Sequence, residues 1–566
     1  MAAELRHNFP VSFAAPIDYG DGPLGLEPTM RRPLASLALA AAIALLSASG
    51  VAATGPGGWD HVGTGATSGT ASLNGAVYAL NADAPNALIV GGNFTSAGGN
   101  PNAARVAAWN GSAWSALGGS PISNGAVFAL AYAGGKVYAG GTFLNAGGDP
   151  NADFLAVNTG AGWASFCGSG TPAFTATVDA LQIIGNTLYV GGSFANAAGI
   201  ASADFLAACD LTTGAVTSLF AADGDLNGGV TALTADSNGT LYAGGQFINV
   251  NGIPEADHVA AYDVVGGSWH AMGSGSGPTK GAVDSMVRSL AAHGTDVYVG
   301  TDAVDVAQIA TADHVVKWNG SSWSAVGTNT AGTDGWFPAS SFINSITTVG
   351  SLVFAAGSFQ NANGVATADD IAYFNGSVWR PLGSNGAGNG PMIGNLTAVR
   401  LFGLSMYAGG NFTSAGGDTR AVSIAAYAVL RPDARIGLAS AGPFVGNGVY
   451  SPTGVGESRT RYVTRGKTGT FYVSIQNDGL FTDSFKIKGT GGARGITVRY
   501  YRGSTNVTTA VKAGTYATGS IAPGAAITIK LVVTVSSSSA SIATFLIRAS
   551  ASGEPSDAVK AIVKAR

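Results

Sequence analysis

LIVGGNFTSAGG at Leu88–Gly99 and MYAGGNFTSAGG at Met406–Gly417 are nearly the same stretch, written at two distant places in one chain. Between them lie five relatives: VYAGGTFLNAGG (137–148), LYVGGSFANAAG (188–199), LYAGGQFINVNG (241–252), VYVGTDAVDVAQ (297–308) and LVFAAGSFQNANG (352–364). The second position of the glycine doublet falls at Gly92, Gly141, Gly192, Gly245, Thr301, Gly357 and Gly410. A period of about 49–56 residues is the signature of propeller blades.

Each unit reads as four strands. An apolar segment ends at Leu80, Leu130 or Leu233; the Tyr-x-Gly-Gly strand follows; then comes a strand such as VAAWN (106–110); a Trp-x-x-(Leu/Val/Met)-Gly strand is last, at Trp114, Trp269, Trp323 and Trp379. Asn110-Gly111, Asn319-Gly320 and Asn375-Gly376 separate strands three and four. Asn-Gly between strands predicts a type I′ hairpin turn, with φ > 0 at both central residues. One four-stranded sheet cannot bury both its faces, whereas seven packed radially can. The expected fold is therefore all-β, with a seven-bladed β-propeller over residues 54–433. The seventh unit stops at IAAYAVL (424–430) without its tryptophan strand, while WDHVG (59–63) precedes unit one. The N-terminal strand is expected to complete the last blade.

Tyr-x-Gly-Gly followed by an aromatic strand and Trp-x-x-Leu resembles kelch repeats and the glycine-doublet repeats of bacterial secreted propeller proteins. The resemblance implies the propeller fold and leaves activity open, because propellers host enzymes, lectins and scaffolds alike. Unit five departs from it, with Thr301-Asp302-Ala303 in place of Gly-x-Phe, and unit three lacks the fourth-strand tryptophan. Kelch-type copper oxidases, with their galactose oxidase-like central domain, show that the fold can support catalysis. No Tyr/His/Cys constellation of theirs can be matched here, so no metal or cofactor is expected.

Beyond residue 434 the pattern changes to alternating strands such as TFYVSIQNDG (470–479) and ITIKLVVTV (527–535). Residues 434–566 are expected to form a β-sandwich. The Asn477-Asp478-Gly479 turn followed by Phe-x-Asp-Ser-Phe resembles immunoglobulin-like modules at the ends of bacterial exported proteins.

Composition agrees with a glycine-turned β protein: 85 glycines in 566 residues, 46% hydrophobic and only 11% charged. A disordered chain would be poor in apolar residues and rich in charge. Charge is split along the chain. Residues 54–433 hold 9 Lys and Arg against 23 Asp and Glu, and residues 434–566 hold 16 against 5. Either the two surfaces simply differ, or the basic module docks on the acidic propeller or on an anionic envelope polymer.

Arg31-Arg32, the Leu/Ala-rich run 34–46 and Val51-Ala52-Ala53 read as a secretory signal peptide. Residues 1–53 are thus expected to be an N-terminal extension and signal, with Met30 as the true start and no stable membrane span after cleavage. Cys167 and Cys209 lie at different repeat positions, and pairing after export is open. A secreted, monomeric protein follows, binding an extracellular ligand such as a carbohydrate or anionic envelope polymer. No nucleic-acid or phosphate-loop motif is present. The rival reading is a polysaccharide hydrolase or lyase with its site at the central channel.

Recurring acids provide the candidate site. Asp153, Asp204, Asp257, Asp313 and Asp369 stand just before strand three, with His258 and His314 following two of them. A carboxylate ring could bind cations or sugars. The competing reading makes each an Asx-type acceptor of backbone N–H groups in the loop entering the strand, and recurrence in five units favours it. Phe94, Phe143, Phe194, Phe247, Phe359 and Phe412, after the doublets, are expected to fill spaces between blades.

Overall fold

The computed structural model describes residues 58–67, 69–168, 172–277, 280–551 and 556–566; the signal-peptide reading lies outside them. The chain is all-β, and seven of its sheets are four-stranded and antiparallel, compatible with propeller blades. Their first strands are Val77–Asn81, Val127–Ala133, Val178–Ile184, Val230–Ala235, Val287–His293, Phe342–Val349 and Met392–Phe402. Each of these touches the first strand of the next sheet, and Met392–Phe402 touches Val77–Asn81.

Sheet seven takes its outer strand from the N-terminal end. Trp59–His61 pairs antiparallel with Ile424–Ala428, in the register Trp59 to Tyr427 and His61 to Ala425. The tryptophans make the equivalence chemical. Trp269 Nε1 donates to Leu219 O, Trp323 to Met272 O and Trp379 to Val326 O, in each case a carbonyl of the preceding sheet's outer edge. Trp59 donates to Leu382 O (2.7 Å) and Trp114 to Val62 O (2.9 Å). The segment 59–62 therefore gives and receives the same inter-sheet hydrogen bond as a fourth strand.

The Asn-Gly turns differ from the type I′ expectation. Asn110 accepts the N–H groups of Ser112 and Ala113 through Oδ1, and Asn110 N–H donates to Ala113 O. Gly111 has a φ of +95°, while Asn110 is not among the positive-φ residues. The asparagine side chain builds an Asx turn inside a longer loop, so a single left-handed residue suffices. Asn319 and Asn375 repeat the arrangement.

Cys167 and Cys209 form a disulfide. Their different repeat positions are what allow it: Cys167 follows the outer strand of sheet two, Cys209 lies in the third strand of sheet three, and both belong to one buried cluster between those sheets. The six phenylalanines after the doublets are at most 4% exposed.

Residues from Pro432 onward form a six-stranded and a five-stranded sheet. Both contribute to a single buried cluster, including Phe471, Ile475, Leu531, Phe545 and Ile547, and this cluster continues into sheets six and seven through Trp59, Phe354 and Met406. At the crossing, Arg431 lies over Tyr450 (3.4 Å) and Tyr427 (5.4 Å). Asp433, Glu457 and Asp557 are fully buried just beyond it. Asp557 accepts the N–H groups of Ala434, Ser451 and Ala558. Asp433 is pushed up to about 8 by burial and by the charges of Asp478 and Asp557. Burial and the adjacent Asp557 also drive Glu457 upward.

Two outcomes follow from this packing. Trp59→Ala removes a fully buried indole and its hydrogen bond, and should cost about 3–5 kcal/mol in a denaturation experiment. Asp433 binds its proton more tightly folded than unfolded. Stability should therefore fall as pH rises from about 4, the ordinary aspartate range, toward about 8. Asp433→Asn should flatten that slope in melts recorded across the window.

Candidate functional site: the bulged ring at the central cavity

The first strands repeat Val-x-(Ala/Ser)-Leu with conservative changes: VYAL, VFAL, VDAL, VTAL, VRSL, INSI and LTAV. The pairing with the second strand shifts register at x in every sheet, for example between Val77 and Ala79 and between Val178 and Ala180. A bulge turns its extra residue out of the ladder and re-aims the side chain. The re-aimed residues are Tyr78, Phe128, Asp179, Thr231, Arg288, Asn344 and Thr397, all half-buried. A cavity of about 180 Å³ is lined by residues of all seven first strands, among them Tyr78, Phe128, Arg288, Asn344 and Thr397. The frame repeats, while the bulged position holds six residue types in seven sheets.

Their environments differ as well. Tyr78 and Phe128 meet edge to face at 5.2 Å between centroids, and Asn93 Nδ2 donates to the Tyr78 hydroxyl (3.2 Å). Burial raises the Asp179 carboxyl above the ordinary aspartate range, partly offset by the Ser193 hydroxyl, which donates to it at 3.3 Å. Arg288 makes a two-pronged pair with Asp302 (2.5 and 2.8 Å) and lies 4.5 Å from the centre of the exposed Phe342 ring. Asn93, Ser193 and Asp302 all occupy the position after the doublet, so in these three sheets two variable positions meet. Thr231 donates to Val287 O (2.6 Å), Asn344 to Leu396 O (2.9 Å) and Thr397 to Val77 O (2.5 Å). Those three stitch neighbouring first strands together.

The recurring acids lie elsewhere and do not converge. Each uses Oδ1 to accept the N–H of a left-handed residue eight positions earlier. Asp153 holds Asn145 (2.7 Å), Asp204 holds Asn196 (2.5 Å), Asp257 holds Asn249 (2.8 Å), Asp313 holds Asp305 (2.8 Å) and Asp369 holds Asn361 (2.6 Å). On Asp257, Asp313 and Asp369 the second oxygen accepts a glycine N–H from the following loop. Every carboxylate is thus engaged in fixing a loop to the start of strand three.

His258 and His314 share a backbone slot with Arg105, Phe154, Phe205, Asp370 and Ser423, all with φ between +56° and +63°. The slot residue donates its N–H to the carbonyl at the phenylalanine position, and its own carbonyl accepts the N–H of the doublet's second residue. Each histidine ring then approaches a carbonyl of its own sheet, Gly245 O at 3.3 Å and Thr301 O at 3.2 Å. In the same slot Asp370 is pushed up to about 7 by burial and the charge of Asp369.

Among the described residues, one group has the spacing of metal ligands: Asp60, His61 and Asp418. His61 Nδ1 lies 2.7 Å from Asp60 and 2.8 Å from Asp418. Arg420 already donates twice to Asp418, at 3.0 Å each, supplying a cation at that place.

Searching for recurring polar residues finds the loop-fixing acids and passes over the bulged ring. The signal for the ring was the one position that changes inside a conserved frame.

Comparison with known proteins yields no family model and no curated protein that matches. Solved structures give partial overlaps. The SrpA adhesin of Streptococcus sanguinis is 14% identical over 24% of this chain and 58% of its own, with a TM-score of 0.14. The N-terminal domain of PorA is 9% identical over 24% and 97%, at 0.16. A FixG-related protein from Vibrio parahaemolyticus is 10% identical over 18% and 79%, at 0.13. At such scores these likenesses carry no argument.

Asp369→Ala leaves the N–H groups of Asn361 and Gly390 without their carboxylate acceptor. It should lower stability by about 1–3 kcal/mol, while calcium or a chelator leaves the wild-type melt unchanged. A calcium-dependent melt abolished by the substitution would make the acids a cation ring instead.

Proposed function

We propose that the chain is an exported extracellular binding protein. Its seven sheets are the blades of a propeller closed by the N-terminal strand, its ligand sits on the bulged ring, and the two C-terminal sheets form an immunoglobulin-like sandwich that positions the disc. The observation that carries this is the chemical variety of the ring. Symmetric repeats have no packing reason to place Tyr, Phe, Asp and Arg at one equivalent, solvent-reaching position. A binding site has such a reason, because it must present different groups to different parts of one ligand. Export is supported by the Arg-Arg and apolar pattern of residues 31–53 and by the disulfide, a bond typical of oxidising compartments.

The ligand chemistry that fits is a carbohydrate. Tyr78 and Phe128 offer an apolar aromatic surface for a sugar face. Asp179, Asn93 and Ser193 offer acceptors and donors for hydroxyl groups, and Arg288 is held rigid by Asp302. A glycan panel probed by calorimetry should yield a ligand whose affinity drops at least about tenfold in Tyr78→Ala and in Asp179→Asn, with the melt unchanged. Equal affinity in both variants would remove the ring as the site. Depolymerisation of the bound glycan by the wild type, lost in Asp179→Asn, would replace binding by catalysis.

A further inference from the structure

Two of the five acids in residues 434–566, Glu457 and Asp557, are fully buried, so the surface of this segment is more cationic than its composition. The cations are not spread evenly. In the five-stranded sheet, Ile487, Phe545, Ile547 and Val563 point inward and are buried. Alternation therefore places Lys486, Lys488, Arg548, Lys560 and Lys564 on the outward face. No acid among the described residues of these strands points that way.

Lys488 stands directly opposite Arg548 on the neighbouring strand. Like charges in that relation are destabilising. Lys512, from the helix Thr508–Ala513, joins them: the three side chains line one cavity of about 380 Å³ together with Gly489, Thr490, Gly491 and Leu546. The lining contains no acid, and among the described residues none of the three has a salt-bridge partner. Arg548 donates Nε and Nη2 to Pro452 O (3.1 and 2.6 Å), which orients the guanidinium without neutralising it. A Cβ on Gly491 would come within 3.2 Å of Lys512 Cε, so the glycine keeps that side of the cavity open.

The geometry points to an oxyanion subsite, in which Lys488, Lys512 and Arg548 take one acidic group of an anionic polysaccharide while Lys560 and Lys564 accept its further charges along the same sheet face. Lys488 and Arg548 stand on neighbouring strands about 4.8 Å apart, while Lys560 and Lys564, opposite Leu546 and Ile542, continue the cationic face along the next strand, which suits a polymer bearing repeated negative charge. At the end of the face Tyr462 is 58% exposed, with Lys564 and Arg566 within 6.0 Å of its ring. This surface is distinct from the bulged ring and goes beyond the function proposed for it.

The test uses the full secreted chain on immobilised dextran sulfate, polygalacturonate and neutral dextran. Binding to one or both acidic polymers, weakening as salt rises, is expected, and the preferred polymer identifies the acidic group. The triple variant K488Q/K512Q/R548Q should lose at least about tenfold in affinity. The variant R499Q/R502Q/K530Q, with the same change in charge on the six-stranded sheet, should stay within about twofold. Melts of all variants establish that folding is intact. Equal losses in both triple variants would reduce the effect to net charge and overturn the subsite, as would equal binding to neutral dextran or no binding to either acidic polymer.

Discussion

The approach of one sheet to the next is governed by the glycine doublet. A Cβ on Gly91 would stand 2.7 Å from Val127 Cγ1 of the following sheet, and one on Gly191 would stand 2.6 Å from Val230 Cγ1. Gly140, Gly244 and Gly409 meet Val178, Val287 and Val77 in the same way. In these five sheets the first glycine thus lets the second strand receive the valine that opens the next sheet, and Gly409 against Val77 joins the seventh sheet to the first. The second glycine acts within its own sheet. A Cβ at Gly92, Gly141, Gly192 or Gly245 would strike the carbonyl oxygen just before the bulge. Where present, the doublet permits both the close packing and the bulge on which the ring of re-aimed side chains depends; units five and six keep the bulge with Gly300-Thr301 and Ala356-Gly357.

Unit five shows how the constraint can be met otherwise. Thr301 occupies the second position, and its hydroxyl donates to Met286 O at 2.9 Å. That is the pre-bulge carbonyl which a bare methyl would strike. Unit five accommodates a side chain at this position and hydrogen-bonds it to that carbonyl, the bulge at Arg288 survives, and Asp302, next in sequence, becomes the partner of that arginine. The departure from the repeat and the Arg288–Asp302 ion pair at the cavity are parts of one local solution.

What could be read in the sequence was what recurs. The strand order within each unit and the burial of the phenylalanines rest on local patterns, and the placement of Trp59 beside Ile424–Ala428 follows from a strand missing at one end of the repeat array and left over at the other. The Cys167–Cys209 pair was not legible, because it requires knowing that a loop after one outer strand faces the third strand of the next sheet. The Asn-Gly turns misled because the asparagine side chain satisfies the loop's N–H groups and relieves the backbone of a second left-handed residue. The bulged ring was overlooked for a different reason. Recurrence marks Asp153 and its equivalents instead, and it reflects a backbone task that five of the seven units share.

The ring itself is divided. Thr231, Asn344 and Thr397 donate to carbonyls of the adjoining first strand, and Ser289 does the same to Ile343 O. These polar side chains bridge sheets four to five, five to six, six to seven and seven to one. Around sheets one to three the bulged positions hold Tyr78, Phe128 and Asp179, which among the described residues make no such bridge. The seam between sheets two and three is instead covalently fixed by the disulfide. Half of the ring is therefore stitched by groups whose hydrogen-bonding capacity is already engaged, and the other half presents an aromatic pair beside an acid. For the binding function proposed above, the aromatic pair and Asp179 of sheets one to three are the ring groups that bridge no neighbouring first strand, and Arg288, held by Asp302, faces the same cavity.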